Sequence, residues 1–350
     1  MLIAPQLIGE ISGRSVVLSY AGVATEYDAL RRHAVVFDRS YRGRLRVSGA
    51  KAADTLTGLV TNDVAALAPG QGQYAAALTP KGKIIADLRI FREETSFLVD
   101  CPPRATEGWL ATVRKYVNPR LAPYADESGT TRSLGIFGIA ARLVVGEMTG
   151  ISSSALGVLP AYAHASVAID DAHILIARVP DLELEGFELF VPASLYEPLW
   201  ERALAAKATP GGLDTWEIAR VEAGRPEWGI DIDESTLPQE ANLEELHAIS
   251  YTKGCYTGQE IVARVHFRGH VNRHLRGLRT AGPEPPAQRA ALFDETGKEV
   301  GDVRSVATSP RLGGIAIGMV RREVEVGTTL TARWDGGESR VDVAALPFPA

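Results

Sequence analysis

Residues 249–264 read ISYTKGCYTGQEIVAR, and the octet Lys253 to Glu260 within them sets a thiol between two glycines, with a cation just before it. Gly254 and Gly258 allow backbone angles and close approaches that other residues resist. A helix beginning near Gly258 would leave Cys255 just outside its N-terminal end, where the helix dipole and Lys253 both favour a thiolate. The plainer alternative is a small buried hydrophobe in a tight turn, because free cysteine is among the most buried residue types. The spacing names no general base for the thiol.

Charge is segregated on either side of this stretch. Asp214 to Glu245 holds ten acidic and two basic residues, whereas Lys253 to Arg279 holds six basic residues against Glu260 alone. The two segments either pair with each other or form a binding surface. Over all 350 residues the formal charge is −6, which argues against a surface that tracks nucleic acid throughout. His266, His270 and His274 would make a metal-binding stripe on one helix. Gly269 interrupts them, however, and Val265 and Phe267 alternate with Arg264, His266 and Arg268 in a strand-like way, so no metal site is expected.

Composition sets the outer bounds. With 45% hydrophobic and 23% charged residues the chain is an ordinary globular protein, and its length favours two or three domains. Cys101 and Cys255 match no metal-ligand spacing and read as free thiols in a reducing compartment. The N-terminus MLIAPQLIGEISGR has no basic region before its apolar residues, and the long uncharged run Met148 to Ile169 is broken by polar residues, Gly150, Gly157 and Pro160. A cytoplasmic protein with no membrane partner is the expectation.

Upstream, Arg44 to Val47 reads as a strand, followed by a Ser48-Gly49 turn and a helix from about Ala50 to Leu59. Gln73 to Leu78, Lys83 to Phe91 and Ser96 to Asp100 read as antiparallel strands, and ATEGWLATVRKYV as a helix ending before Asn118-Pro119. A second group follows: strands Leu143 to Val145, Ala172 to Arg178 and Phe187 to Val191, then a helix Ser194 to Ala206 capped by Ser194 with Glu197 three on. Beyond the proline-rich AGPEPPAQ, short apolar runs broken by glycine read as a small antiparallel barrel or sandwich.

DTWEIARVEAGRPEWGIDI begins as a helix that ends at Gly224. Arg220 and Glu222 on it form local ion pairs, or the guanidinium grips a carboxylate or a planar heterocycle. In LEGFELFVP, strand alternation puts Phe187, Leu189 and Val191 on one face and Glu188 with Phe190 on the other. A solvent-facing Glu188 is the default; the sharper option is that it accepts two hydrogen bonds from an aminopyrimidinone edge.

KGCYTGQEIVAR closely resembles the signature of the YgfZ family of folate-binding proteins, which is related to the aminomethyltransferase (T-protein) of the glycine cleavage system. RVEAGRPEWGIDI, PQEANLEELHAIS, GFELFVP, TNDV with GQGQYAAALTPKGKI, and the C-terminal VGDVRSVATSPRLGGIAIGMV with LPF are similar to elements of that family in the same order, over nearly the whole chain. The resemblance implies an α+β fold: a GcvT-like three-domain ring of antiparallel sheets and helices, with two interwoven domains over residues 1–265 and a C-terminal β-barrel over 266–350. It also implies that tetrahydrofolate binds in a central channel, and that the protein is an accessory factor for assembly or repair of iron-sulfur enzymes, some of which modify tRNA. Its partners would be folate and iron-sulfur client or assembly proteins, with no direct nucleic-acid contact.

On this resemblance Cys255 carries the function, with Lys253, Tyr256, Gln259 and Glu260 shaping its site. Glu188 looks like the T-protein carboxylate that reads the pterin, Arg220 like its channel arginine, and Asn62 and Tyr74 fall in channel-lining segments. Where the T-protein has a pair of acidic residues, Ile85-Ala86-Asp87-Leu88 keeps only Asp87. That departure favours the YgfZ branch over a folate-dependent aminomethyltransferase, for which Asp87 would be the catalytic carboxylate.

Overall fold

The computed structural model describes residues 5–349. The reading of the N-terminus as leaderless rests in part on residues 1–4, which lie outside the described residues. The chain divides into two compact units: residues up to 77, 85–216 and 248–257 form the first, and residues 78–84, 217–247 and 258 onward the second.

Two sheets build the first unit. One has five strands, in the order Gly72–Leu78, Ile84–Arg92, Ser96–Cys101, Gly43–Ser48 and Tyr124–Asp126. Gly43–Ser48 runs antiparallel to both of its neighbours, and Ile84–Arg92 antiparallel to Ser96–Cys101. Ala75 to Leu78, Leu88, Ile90 and Val99 are all buried, so these strands read as near-continuous apolar runs. The expected helix is found at Thr106–Tyr116, and the one after the Ser48-Gly49 turn at Ala52–Leu59.

The other sheet has six strands, in the order His164–Ile169, Ala172–Arg178, Gly186–Pro192, Thr131–Phe137, Val35–Asp38 and Thr209–Gly211. Its last pair is parallel. Phe187, Leu189 and Val191 share one core with Leu134 and Ile136, as the alternation requires, and the helices Ala141–Thr149 and Ala193–Ala205 contribute Val144, Val145, Met148, Leu195 and Leu199 to it. The opposite face is thereby reserved for Glu188.

In the second unit, six strands close into a barrel: Arg273–Thr280, Gly313–Arg321, Glu299–Ser309, Ala291–Phe293, Thr329–Trp334 and Gly337–Ala344. Leu278, Val303, Ala316, Leu330 and Val341 fill it. Closure leaves no strand edge exposed to pairing. The helix Leu213–Glu222 ends where expected, with Gly224 in the left-handed region at φ 64°.

Three local readings are corrected. Leu143 to Val145 is helical, within Ala141–Thr149, because Ala141, Val144, Val145 and Met148 bury one helical face and Gly150 closes the helix at φ 79°. A short apolar run carries no period that could distinguish the two states. Ser194 is inside its helix rather than its cap: the helix starts at Ala193, directly after the extended Pro192, with no side-chain cap. Val265 to Arg268 belongs to the helix Gln259–Arg268; the apparent alternation is not one of burial, since Phe267 is 67% exposed while Val262 is fully buried.

Glu26, in the first turn of Val23–Arg32, organises the N-terminal part of the first unit. Its Oε1 accepts from the Ser19 hydroxyl (3.0 Å) and the amides of Tyr20 (2.7 Å) and Ala21 (3.0 Å), while Oε2 accepts from the Gly212 amide and the Thr215 hydroxyl, both at 2.8 Å. In Glu26→Gln an amide nitrogen must face donors. The expected loss is about 2–3 kcal/mol, seen as a fall of roughly 5 °C in calorimetric Tm. An unchanged Tm would show that the carboxylate is not holding these segments together.

Candidate functional site

Four of the residues singled out in the sequence form one continuous chain of hydrogen bonds in the first unit. The Lys253 ammonium donates to the carbonyls of Thr57, Val60 (2.6 Å) and Asn62 (3.0 Å). Asn62 Nδ2 donates to the Tyr74 carbonyl at 2.9 Å, and the Tyr74 hydroxyl to Asp87 Oδ2 at 2.8 Å. Local structure explains each position. Thr57 and Val60 lie at the C-terminal end of Ala52–Leu59, where helix carbonyls have no partner of their own. Tyr74 and Asp87 sit on two neighbouring strands of the five-stranded sheet.

Lys253 is therefore a clamp, with its donors turned to carbonyls. Sequence reasoning places Lys253 beside the thiol as a catalytic group; the structure shows its ammonium donating to these three carbonyls. Burial lowers its pKa to about 8, against the attraction of Asp63. Its ammonium also lies 4.6 Å from the centroid of the Tyr256 ring. Tyr256 is buried, and burial pushes its hydroxyl up to about 12. Cys255, between them, is exposed, so the reading of it as a buried hydrophobe is overturned. Cys101 is the buried thiol, pushed up to about 12 by the same effect.

Asp87 is buried, and its Oδ1 has no hydrogen-bond partner. Burial pushes its carboxyl above the ordinary range, more strongly than Arg42, the Tyr74 hydroxyl and Arg89 pull it down. The result is a carboxyl group with one oxygen committed and one still seeking a proton or a donor. Beside it, Tyr74 stacks on Tyr162 with ring centroids 6.2 Å apart and planes at 11°.

Glu188 is fully buried, which corrects its default reading as a solvent-facing carboxylate. Ser133 donates to Oε1 and Arg89 Nη1 to Oε2, both at 2.6 Å. Arg89 in turn donates to Asp181 (2.9 Å) and, through Nε and Nη2, to Asp100 Oδ2 at 2.8 and 2.6 Å. Arg42 Nε reaches the same Asp100 oxygen at 2.8 Å. Burial alone would raise the Glu188 carboxyl, but Arg89, Arg39 and Arg42 outweigh it and hold the group at about 2.

Arg89 is the participant that the residue-by-residue reading missed. A signal was present: Asp87 and Arg89 are two apart on a strand whose other central residues are apolar, so both project to one face.

Other expected residues belong to the second unit. Arg220, in the second unit, spends all five N–H donors on Glu217 (Nε and Nη2), the Arg225 carbonyl, Asp231 and Ser305, leaving none for a ligand. Gln259 and Glu260 open the helix Gln259–Arg268, which starts from Gly258 at φ 83°. The acidic and basic segments pair in part within that unit, Arg273 with Glu240 at 3.0 Å and His266 with Glu244 at 2.9 Å. Among the described residues no group of three or more His, Cys, Asp or Glu is placed to hold a metal ion, and no helix is long and apolar enough to cross a membrane. A cavity of about 350 Å³ in the first unit, bounded by Arg14, Arg39, Tyr41 and Trp216, contains none of the expected residues.

The Glu188 geometry has a measurable consequence. Its carboxyl is held at about 2 instead of 4.5, so it contributes stability that is complete above pH 4.5 and is lost as pH falls through about 2. Glu188→Gln should lower stability at pH 7 by about 3 kcal/mol and flatten the acid limb of a Tm-against-pH curve between those values. A variant retaining the wild-type acid limb would contradict this account.

Residues 8–250 match the GCVT N-terminal domain, and residues 273–349 match the glycine cleavage T-protein C-terminal barrel domain. An aminomethyltransferase from Thermosynechococcus vestitus is 30% identical over 91% of this chain and 86% of its own length. One from Rubrobacter xylanophilus is 29% identical over 97% and 89%. The crystal structure of glycine cleavage system aminomethyltransferase T from Bartonella henselae superposes with a TM-score of 0.89 at 26% identity, covering 98% of this chain and 94% of that one. The α+β fold with its C-terminal β-barrel is thus the one that the sequence implied, and the chain belongs to the glycine cleavage T-protein (GcvT) family.

Proposed function

We infer that this protein binds tetrahydrofolate through Asp87, Tyr74 and Asn62, and that it acts in the manner of the YgfZ branch, as an accessory protein for iron-sulfur enzymes, through Cys255. The observation that carries the folate reading is the buried, unpartnered Oδ1 of Asp87. A reduced pterin offers several N–H donors, and an acceptor kept from water is matched to one of them. The stacked Tyr74 and Tyr162 rings supply a flat apolar wall suited to a planar heterocycle. When bound, tetrahydrofolate supplies nitrogen atoms that carry a one-carbon unit. The protein's own part is to orient it and to hold or release a proton at Asp87. The exposed Cys255 on its clamped loop supports the accessory reading, as does Ala86 where the T-protein has its second acid.

A second reading, aminomethyl transfer to tetrahydrofolate, is supported by the names of the relatives and by the raised Asp87 carboxyl, which suits a group that must exchange a proton. The two readings share the folate site and differ in what Cys255 does.

Tetrahydrofolate at a hundredfold excess over its Kd should stabilise the protein by about 2.7 kcal/mol in a thermal-shift titration. Asp87→Asn should weaken binding by roughly tenfold or more while the protein still folds, because the amide preserves shape and removes a buried charge. No shift at any tetrahydrofolate concentration would refute the folate reading. Cys255→Ser should fold and bind folate normally yet fail to complement a deletion strain. Full complementation, together with formation of 5,10-methylenetetrahydrofolate from an aminomethylated carrier protein, would decide for the second reading.

A further inference from the structure

Glu188 and Arg89 carry an inference that rests on the folate reading and extends it to ligand selectivity. A buried carboxylate recognises a 2-amino-4-oxopyrimidine by accepting one N–H on each oxygen, from the 2-amino group and the adjacent ring nitrogen. In this protein both positions are already filled from within the chain. Arg89 Nη1 supplies the donor to Oε2 and the Ser133 hydroxyl the donor to Oε1, each at 2.6 Å, around a carboxylate with no exposed surface. Chemically the substitution is close, since one guanidinium N–H and one hydroxyl take the two acceptor positions that the pyrimidine edge would use, with a full positive charge added.

Arg89 is also anchored independently of Glu188. Two of its nitrogens hold Asp100 and Nη1 reaches Asp181, so swinging it away would break its bonds to both of these as well as the one to Glu188. We propose that Arg89 is the specificity-determining residue of this site: it permanently occupies the donor side of Glu188, so that the protein does not read the 2-amino group of a pterin through that carboxylate and selects its ligand at Asp87 instead.

The test compares binding of tetrahydrofolate with that of its 2-deamino analogue by calorimetry. Wild type should bind the two within about threefold, because Glu188 keeps its two donors whether or not the amino group is present. Arg89→Leu frees Oε2 of Glu188, while the Ser133 hydroxyl can turn from Oε1 to another acceptor, Arg42 still pairs with Asp100 and the partly exposed Asp181 can be solvated. This variant should prefer the 2-amino ligand by about tenfold or more, as a site built to hydrogen-bond a group rejects the analogue lacking it. If Arg89→Leu does not fold, Arg89→Gln, which shortens the fork and removes its charge, takes its place, and the wild-type comparison needs no variant.

A tenfold preference in wild type that disappears in Glu188→Gln would overturn the proposal and leave the folate reading intact. So would a folded Arg89 variant as indifferent to the amino group as wild type. Binding of tetrahydrofolate only after Arg89 is removed would support the proposal and refute folate binding by the native protein. No binding by any variant would overturn both.

Discussion

The first unit depends on a buried layer of charge. Asp100 accepts from Arg42 and Arg89 on one oxygen, and Arg89 continues to Glu188. Glu188 is tied to Ser133 on the next strand. Through these contacts two strands of the five-stranded sheet, Ile84–Arg92 and Ser96–Cys101, are fastened to two strands of the six-stranded sheet, Gly186–Pro192 and Thr131–Phe137. An apolar interface could slide. Ions without water cannot, because each position is set by partners whose loss would leave an uncompensated charge in a poorly polarisable interior. The neighbouring Asp87 escapes this pairing: its carboxyl is pushed up rather than down, although it lies only two residues from Arg89. Two carboxyls near the same arginine thus take opposite protonation tendencies, set by how directly each is bonded to it.

Much of this was legible in the sequence where the information is local. Alternation in GFELFVP put Glu188 opposite the core residues Phe187, Leu189 and Val191, and the glycine at 258 marked the start of a helix. Short runs failed because the deciding contacts come from elsewhere in the chain. Leu143 to Val145 is helical because Met148 and Ala141 join it on one face, and the residues around His266 are helical in spite of a strand-like rhythm in residue type. The candidate site was legible as a set of residues but not as a set of roles. Arg220 looks like a ligand-binding guanidinium until its four partners are located, and nothing near Arg89 in the sequence announces that Glu188, about a hundred positions downstream, is its counterion.

The cysteine motif shows how a short signature can mix two purposes. Lys253 and Tyr256 face inward, one donating to three carbonyls and the other burying its ring, while Cys255 between them is exposed. Chemical type in sequence, a cation beside a thiol, suggests direct activation; the geometry shows the cation donating to three carbonyls of another segment. Family membership is secure from both domains of the chain.

Because the Lys253 ammonium is bonded to carbonyls at and just beyond the end of Ala52–Leu59, the segment bearing Cys255 is joined mechanically to a helix terminus. The position of the thiol is therefore tied to the end of a helix nearly two hundred residues earlier in the chain: the three bonds to Lys253 must break before the loop can depart far from its resting position.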